Sequence, residues 1–259
     1  MIALLLGSLV GLSLGLTGGG GSIFAVPLLV YGLSLDFREA VTLSLAIVGS
    51  TALYGATIQA RRKVVLWGAG TVLGLGGIVT APVGAMLGER IPDRLSLMMF
   101  AGLMLVVGTQ MIAGQRDMVI AAIACQRSPQ EELRFSWRCA AKLLATGMIA
   151  GVLSGIFGVG GGFLLVPALL LVTGISIDSA MATSLVAIAL ISASGFVANL
   201  ANLNPERFAV GGVFFLGSIV GMTLGASVKR LIPSHTLRRI FGTVIIVTAL
   251  ALIAINTFH

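Results

Sequence analysis

Two glycine blocks are the residues of this chain best suited to bind something: Thr17–Pro27, TGGGGSIFAVP, and Gly158–Pro167, GVGGGFLLVP. Each glycine inside a helix costs about 1 kcal/mol relative to alanine, so runs of this kind break a helix, and each is followed directly by a new helix start. A helix N-terminus carries a partial positive charge and backbone N–H groups outside the helical ladder, which together attract anions. Gly20, Gly21, Ser22 and Ile23 in one block and Gly160, Gly161, Gly162 and Phe163 in the other are the natural donors. Pro27 and Pro167 lie about one turn further on, where a missing N–H is least felt. Hydroxyls and amides could complete the site: Thr17, Ser44, Ser50, Thr51, Tyr54, Thr183, Ser184, Ser192, Ser194 and Asn199. Ser44, Thr183, Ser184 and Asn199 join the glycines and Ser22 as the leading candidates.

Each of these readings has a plainer rival. Glycine-rich breaks in membrane helices also serve close packing, and a serine or threonine in a spanning helix commonly bonds its own i−4 carbonyl. Asn199 and Asn202 could be interhelical glue or an interfacial cap. Other chemistry is less well supported. Every Asp, Glu, Lys, Arg and His falls in a loop or at a segment end, which argues against a buried carboxylate relay and against a metal site. His235 and His259 have no partnered acid in view, and no nucleophile elbow, phosphate loop or HExxH helix occurs. We therefore expect neither an enzyme nor a cofactor. Cys125 and Cys139 match no zinc or redox spacing.

The elements that must position these residues are membrane spans. The chain has 259 residues, of which 57% are apolar and 10% charged, with a mean hydropathy of +1.08. Soluble domains carry about 25% charged residues. Charge-free segments at Ala40–Gln59, Val64–Gly88, Leu95–Gly114, Ser179–Leu203 and Phe208–Val228 reach the roughly 20 residues a bilayer crossing needs; Ile240–Phe258 is slightly shorter. The composition defines a polytopic membrane protein. Its net charge of +7 then reflects basic cytoplasmic loops rather than nucleic-acid binding. Met1–Leu16 lacks the basic n-region and cleavage site of a signal peptide.

A shift of 140 positions brings the two glycine blocks into register. Gly7, Gly11, Gly15, Gly18, Gly20, Gly21, Val26 and Pro27 fall on Gly147, Gly151, Gly155, Gly158, Gly160, Gly161, Val166 and Pro167. Ala40, Ser44, Leu45 and Gly55 fall on Ala180, Ser184, Leu185 and Gly195, and Gln59 on Asn199. One residue of slippage then puts Gly84, Pro92 and Phe100 on Gly225, Pro233 and Phe241. The expected organisation is a first repeat at 1–114, a cytoplasmic linker at 115–141 and a second repeat at 142–259. Each repeat opens with a helix carrying glycines every fourth residue, a face that admits close helix packing. The glycine break, a short apolar segment and three longer spans follow.

Two topologies are open. If each glycine-broken unit crosses once, the repeats are parallel; if it is a re-entrant hairpin, each repeat has three full crossings and the repeats are inverted. The inverted arrangement places Arg61, Arg62, Lys63, Arg116, Arg127, Arg134, Arg138, Lys142, Lys229, Arg230, Arg238 and Arg239 inside. It leaves only Arg38, Arg90, Arg94 and Arg207 outside, a split of 12 to 4 against 9 to 7 for the parallel one. Positive loops favour the cytoplasm, so the inverted, all-α arrangement is expected.

Paired segments of the form GxxGxGGGxxxVPxL, each followed by an A-T-S-L-like stretch, resemble the TauE/SafE family of sulfite exporter-like permeases. The second repeat carries the pattern closely, with Gly155, Gly158, Gly160, Gly161, Gly162, Val166, Pro167 and Leu169, then Ala182, Thr183, Ser184 and Leu185. The first departs at Ser22, where the third glycine is expected, and at Leu43 within Thr42-Leu43-Ser44-Leu45. The resemblance implies export of a small anionic sulfur compound, such as sulfite or an organosulfonate like sulfoacetate, across the bacterial inner membrane. Alternating access around a central site would be driven by the membrane potential or by protons. An anion channel of the same architecture and a non-transport membrane assembly factor are the other readings. For the family reading, valine at Gly21 or Gly161 is expected to abolish transport in a protein that still folds.

Overall fold

The computed structural model describes residues 2–113, 137–173, 175–202, 208–228 and 234–258, and among them every regular element is a helix. The helices are α1 (Ile2–Thr17), α2 (Ala25–Leu33), α3 (Phe37–Ala60), α4 (Trp67–Glu89), α5 (Asp93–Ala113), α6 (Trp137–Phe157), α7 (Gly162–Thr173), α8 (Ile177–Ala198), α9 (Phe208–Val228) and α10 (Ser234–Phe258). Short 3₁₀ turns at Gly20–Phe24 and Leu200–Asn202 complete the set. Most of the stretch read as a linker, including Cys125, lies outside the described residues, and α6 opens at Trp137, inside the expected linker boundary.

Among the described residues, five helical segments are long and apolar enough to cross a membrane: Phe37–Ala60, Trp67–Glu89, Cys139–Phe157, Ile177–Ala198 and Val210–Val228. The outward faces suit lipid. Leu75, Val79 and Val83 form an exposed stripe on α4, and Leu216, Val220 and Leu224 form one on α9, with the spacing of four residues that keeps side chains on one helix face. The two stripes are related by a shift of 141 positions. This is a multi-pass membrane protein.

Glycine lets the helices pack backbone to backbone. A Cβ built on Gly7, Gly11 or Gly15 of α1 would run into Phe214, Ser218 or Met222 of α9. On α6, Gly147, Gly151 and Gly155 meet Leu73, Gly77 and Ala81 of α4 in the same way. The glycine-every-fourth face therefore does pack closely, and against a helix of the other half of the chain. The partners obey the slipped offset: Phe214, Ser218 and Met222 stand 141 positions after Leu73, Gly77 and Ala81.

These registers also give directions. Residue numbers rise together where α1 meets α9, and where α3 meets α9 at Leu43–Gly211, Thr51–Ser218 and Gly55–Met222. They rise together again for α4 with α6, and for α4 with α8 at Gly70–Thr183, Gly74–Leu190 and Gly77–Ile191. Between α3 and α8 they run oppositely, Leu45 meeting Gly195 and Gly49 meeting Ser192. Helices α1, α3 and α9 thus run one way and α4, α6 and α8 the other. The α3–α8 pair holds much of the core, with Leu45, Val48, Ala52, Leu185, Ile188 and Ile191 buried.

Candidate functional site

Both glycine blocks begin as helix stops. Gly18 (φ 70°) and Gly158 (φ 69°) take the left-handed conformation that ends α1 and α6, and their N–H groups bond Leu14 O and Ser154 O, each at 2.8 Å. Left-handed backbone is cheap for glycine and closes the last helical turn. The first block then folds back: Gly21 lies against Ser13, and Gly32 against Leu6. Ser13 Oγ donates to Gly21 O at 3.3 Å across this hairpin.

The two blocks meet. A Cβ on Gly19 would lie 2.9 Å from Gly162 O, and one on Gly162 would lie 2.6 Å from Gly19 O. Ile188 Cδ1, midway along α8, touches both positions. Gly160 (φ 65°) and Gly161 (φ 68°) continue in left-handed backbone before α7 starts at Gly162. Among the described residues, no hydrogen bond occupies the N–H groups of Val159, Gly160, Gly161 or Gly162. The first block is more self-contained. Gly21 N–H bonds Thr17 Oγ1 at 2.9 Å, Ser22 N–H bonds Gly19 O at 3.2 Å, and Ala25 N–H bonds Ser22 O. A 3₁₀ turn stands there in place of a clean helix start, which leaves only Gly19 and Gly20 with N–H groups lacking a described partner.

The repeat-related serines act as a matched pair. Ser44 Oγ donates to Gly158 O as well as to Val41 O at 3.0 Å. Ser184 Oγ donates to Gly18 O at 2.6 Å and to Met181 O at 2.9 Å. Each serine, fully buried, latches the carbonyl of the glycine just past the end of the other half's broken helix. A hydroxyl has one hydrogen to give, and here it goes to a carbonyl. Removing one leaves a buried carbonyl unpaired, at about 1–3 kcal/mol. Ser44→Ala and Ser184→Ala are each expected to lower the melting temperature measured in detergent; an unchanged value in both would show the latches to be idle.

The other candidates disperse. Ser22 Oγ turns back to Gly19 O at 2.8 Å. Thr183 Oγ1 accepts from Leu66 N–H at 3.1 Å, at the start of α4. Its repeat counterpart Leu43 packs on Gly211 as Thr183 packs on Gly70, so the departure at Leu43 exchanges a cap for an apolar contact. Asn199 ends α8, its Nδ2 donating to Gly195 O at 2.8 Å, and its own carbonyl accepts from Thr42 at 3.2 Å. Its counterpart Gln59 instead lines a narrow recess with Gly15, Gly18, Met181 and Met222, and Gln59 Oε1 is buried without a described partner. Ser192, Gly19 and Gly49 belong at the crossing but stood outside the leading candidates. Ser192 lacks a hydroxyl counterpart, Ala52 standing at the equivalent place, so the repeat did not single it out.

The placements correct one expectation about variants. A Cβ on Gly21 would lie 2.5 Å from Leu14 N and overlap Ser13, so valine there disrupts the hairpin itself and cannot report on binding alone. Gly20, whose nearest neighbour would be Thr17 Oγ1 at 3.3 Å, is the position that accepts a side chain.

A multi-pass helical protein whose paired broken helices meet in its interior is built like a membrane permease. The family described as sulfite exporter TauE/SafE matches residues 3–252. The chain belongs to that family. It is 32% identical over 255 residues to a probable membrane transporter protein of Xylella fastidiosa strain 9a5c, covering 95% of this chain and 92% of the relative. A probable membrane transporter protein of Haemophilus influenzae is 27% identical over 271 residues, covering 96% of each chain. The probable membrane transporter protein YdhB of Bacillus subtilis is 26% identical over 238 residues, covering 92% of this chain and 94% of the relative. No solved structure matches. The family and these relatives indicate a membrane transporter.

Proposed function

We propose that the protein exports a small sulfur oxyanion, sulfite or an organosulfonate, across the bacterial inner membrane. It does so by alternating access around the glycine crossing. The observation that carries this reading is the meeting of the two glycine blocks at Gly19 and Gly162, with N–H groups at Gly160–Gly162 that have no partner among the described residues and the start of α7 behind them. Such donors hold an oxyanion without a buried lysine, whose charge is costly in lipid, and they are weak enough singly to let it leave. The backbones of Gly19 and Gly162 are in contact, so the anion enters as the breaks part. Ser44 and Ser184 hold the broken ends in place; they do not face the ligand.

The architecture in this reading is two inverted repeats, each a re-entrant hairpin plus three crossings. It is supported by the opposite directions of α1 and α6, of α3 and α8, and of α4 and α9, and by the folding back of Gly21 and Gly32 onto α1. The basic turn Arg61–Lys63 then lies inside, at the end where the recess beside Gln59 reaches Gly18.

A thermal-shift screen of purified protein tests the ligand class. Sulfite or sulfoacetate is expected to raise the melting temperature at millimolar concentration by mass action, with chloride and sodium inert. Stabilisation by cations alone would overturn an anion site.

A further inference from the structure

One hydroxyl at the crossing is left out of the network that absorbs the others. Ser192 on α8 is fully buried, and its Oγ has no hydrogen-bond partner among the described residues. Serines in membrane helices usually bond a carbonyl three or four residues back. Ser13, Ser44, Ser184 and Ser218 all do so here; Ser192 does not. A Cβ built on Gly160 would lie 2.7 Å from Ser192 Oγ, so the hydroxyl points at the left-handed glycine whose N–H also has no partner among the described residues. The walls around it are apolar, Val48 and Ile188 standing against the same glycine. Among the described residues, Ser154 on α6 is the other fully buried hydroxyl without a partner; of the two, Ser192 is the one found among the nearest neighbours of a glycine in the block.

We infer that Ser192 is a ligand-binding residue that donates its O–H to an oxygen of the anion held at Gly160–Gly162. The inference rests on the proposed anion site and assigns it a side-chain donor. The polar atoms converging there are a hydroxyl and backbone N–H groups, which together suit a compact oxyanion with several acceptor oxygens. A buried hydroxyl with no partner is costly to the empty protein, and the anion supplies the missing acceptor. Gly49, set against the Ser192 side chain, and Gly160 keep both approaches to it clear of side chains. Because Ala52 occupies the equivalent position in the first repeat, the donor set is unequal. The second half holds the anion and the first half, through Gly19, closes over it.

The test compares wild type, Ser192→Ala and Ser154→Ala by calorimetric titration with sulfite and with sulfoacetate, alongside melting temperatures without ligand. Ser192→Ala is expected to bind about 10- to 100-fold more weakly, the range for a lost hydrogen bond to a charged group. Its unliganded melting temperature should equal or exceed that of wild type, because the substitution removes an unpaired buried hydroxyl. Ser154→Ala should show the same melting behaviour and wild-type affinity. Affinity within twofold of wild type in Ser192→Ala would remove Ser192 from the site and leave the anion reading standing. A clear drop in its unliganded melting temperature would make Ser192 a packing residue, which also overturns the assignment. If wild type binds neither anion, the site and its serine fall together.

Discussion

Gly11→Leu and Gly151→Leu are expected to leave no monodisperse protein after extraction in detergent, whereas Gly102→Leu purifies like the wild type. All three residues sit in helices, so helix propensity favours leucine by about 1 kcal/mol at each. Space decides the outcome. At Gly11 a Cβ alone would overlap the Ser218 carbonyl, 2.6 Å from its carbon and from Cα. At Gly151 it would lie 2.5 Å from Gly77 O and 2.6 Å from Gly77 Cα. Thr80 Oγ1, which a Cβ on Gly151 would also overlap, is a side-chain atom, but the Ser218 and Gly77 atoms are backbone and cannot rotate aside, so α1 must leave α9, or α6 leave α4. One extra methyl in a packed interior costs about 1–3 kcal/mol, and a leucine brings several more carbons. At Gly102 nothing lies within 4 Å of the built Cβ, so leucine faces open space. Size-exclusion profiles of the three variants read the difference. Normal profiles for Gly11→Leu and Gly151→Leu would mean that these seams are not where the halves join.

The second large effect is on transport. Gly160→Ala is expected to cut sulfite flux at least tenfold in protein that remains folded. Alanine must take φ 65°, a left-handed conformation costing about 1–2 kcal/mol for a residue with a Cβ. Its methyl would stand 2.7 Å from Ser192 Oγ and 2.9 Å from Val48 Cγ1. Both neighbours are side-chain ends that can shift, so folding survives where the N–H and hydroxyl, neither with a partner among the described residues, are covered. Gly20→Ala is the control on the first block. Thr17 is its nearest neighbour and its φ is not left-handed, so its flux should fall far less.

Much of this was legible in the residues because a duplicated sequence reports on three-dimensional equivalence. The offset of 140 that slips to 141 reappears in the contacts: Gly15 meets Met222 and Ala226 where Gly155 meets Ala81 and Ala85. Pairing Ser44 with Ser184 picked out the two hydroxyls that do equivalent work. What that work was stayed hidden, because the acceptors, Gly158 O and Gly18 O, come from the opposite halves. The glycine face of α1 announced a close helix partner but not which one, since nothing local distinguishes α9 from any other span. The 3₁₀ turn at Gly20–Phe24 was not foreseen either. It follows from Thr17 and Gly19 capturing the N–H groups of Gly21 and Ser22, which in the sequence read as donors still free. Asn199 and Gln59 align as equivalent amides, yet one caps its own helix and the other lines a recess. Symmetry of sequence does not carry over where the two ends of the molecule differ in conformation.

The central claim is that an anion is carried through the glycine crossing by alternating access. Counterflow tests it most directly: proteoliposomes preloaded with unlabelled sulfite and diluted into a trace of radiolabelled sulfite. The account predicts transient uptake of label above equilibrium that saturates with external sulfite and is lost in Gly160→Ala. Label that only equilibrates, at a rate linear in concentration and alike in wild type and Gly160→Ala, would contradict it.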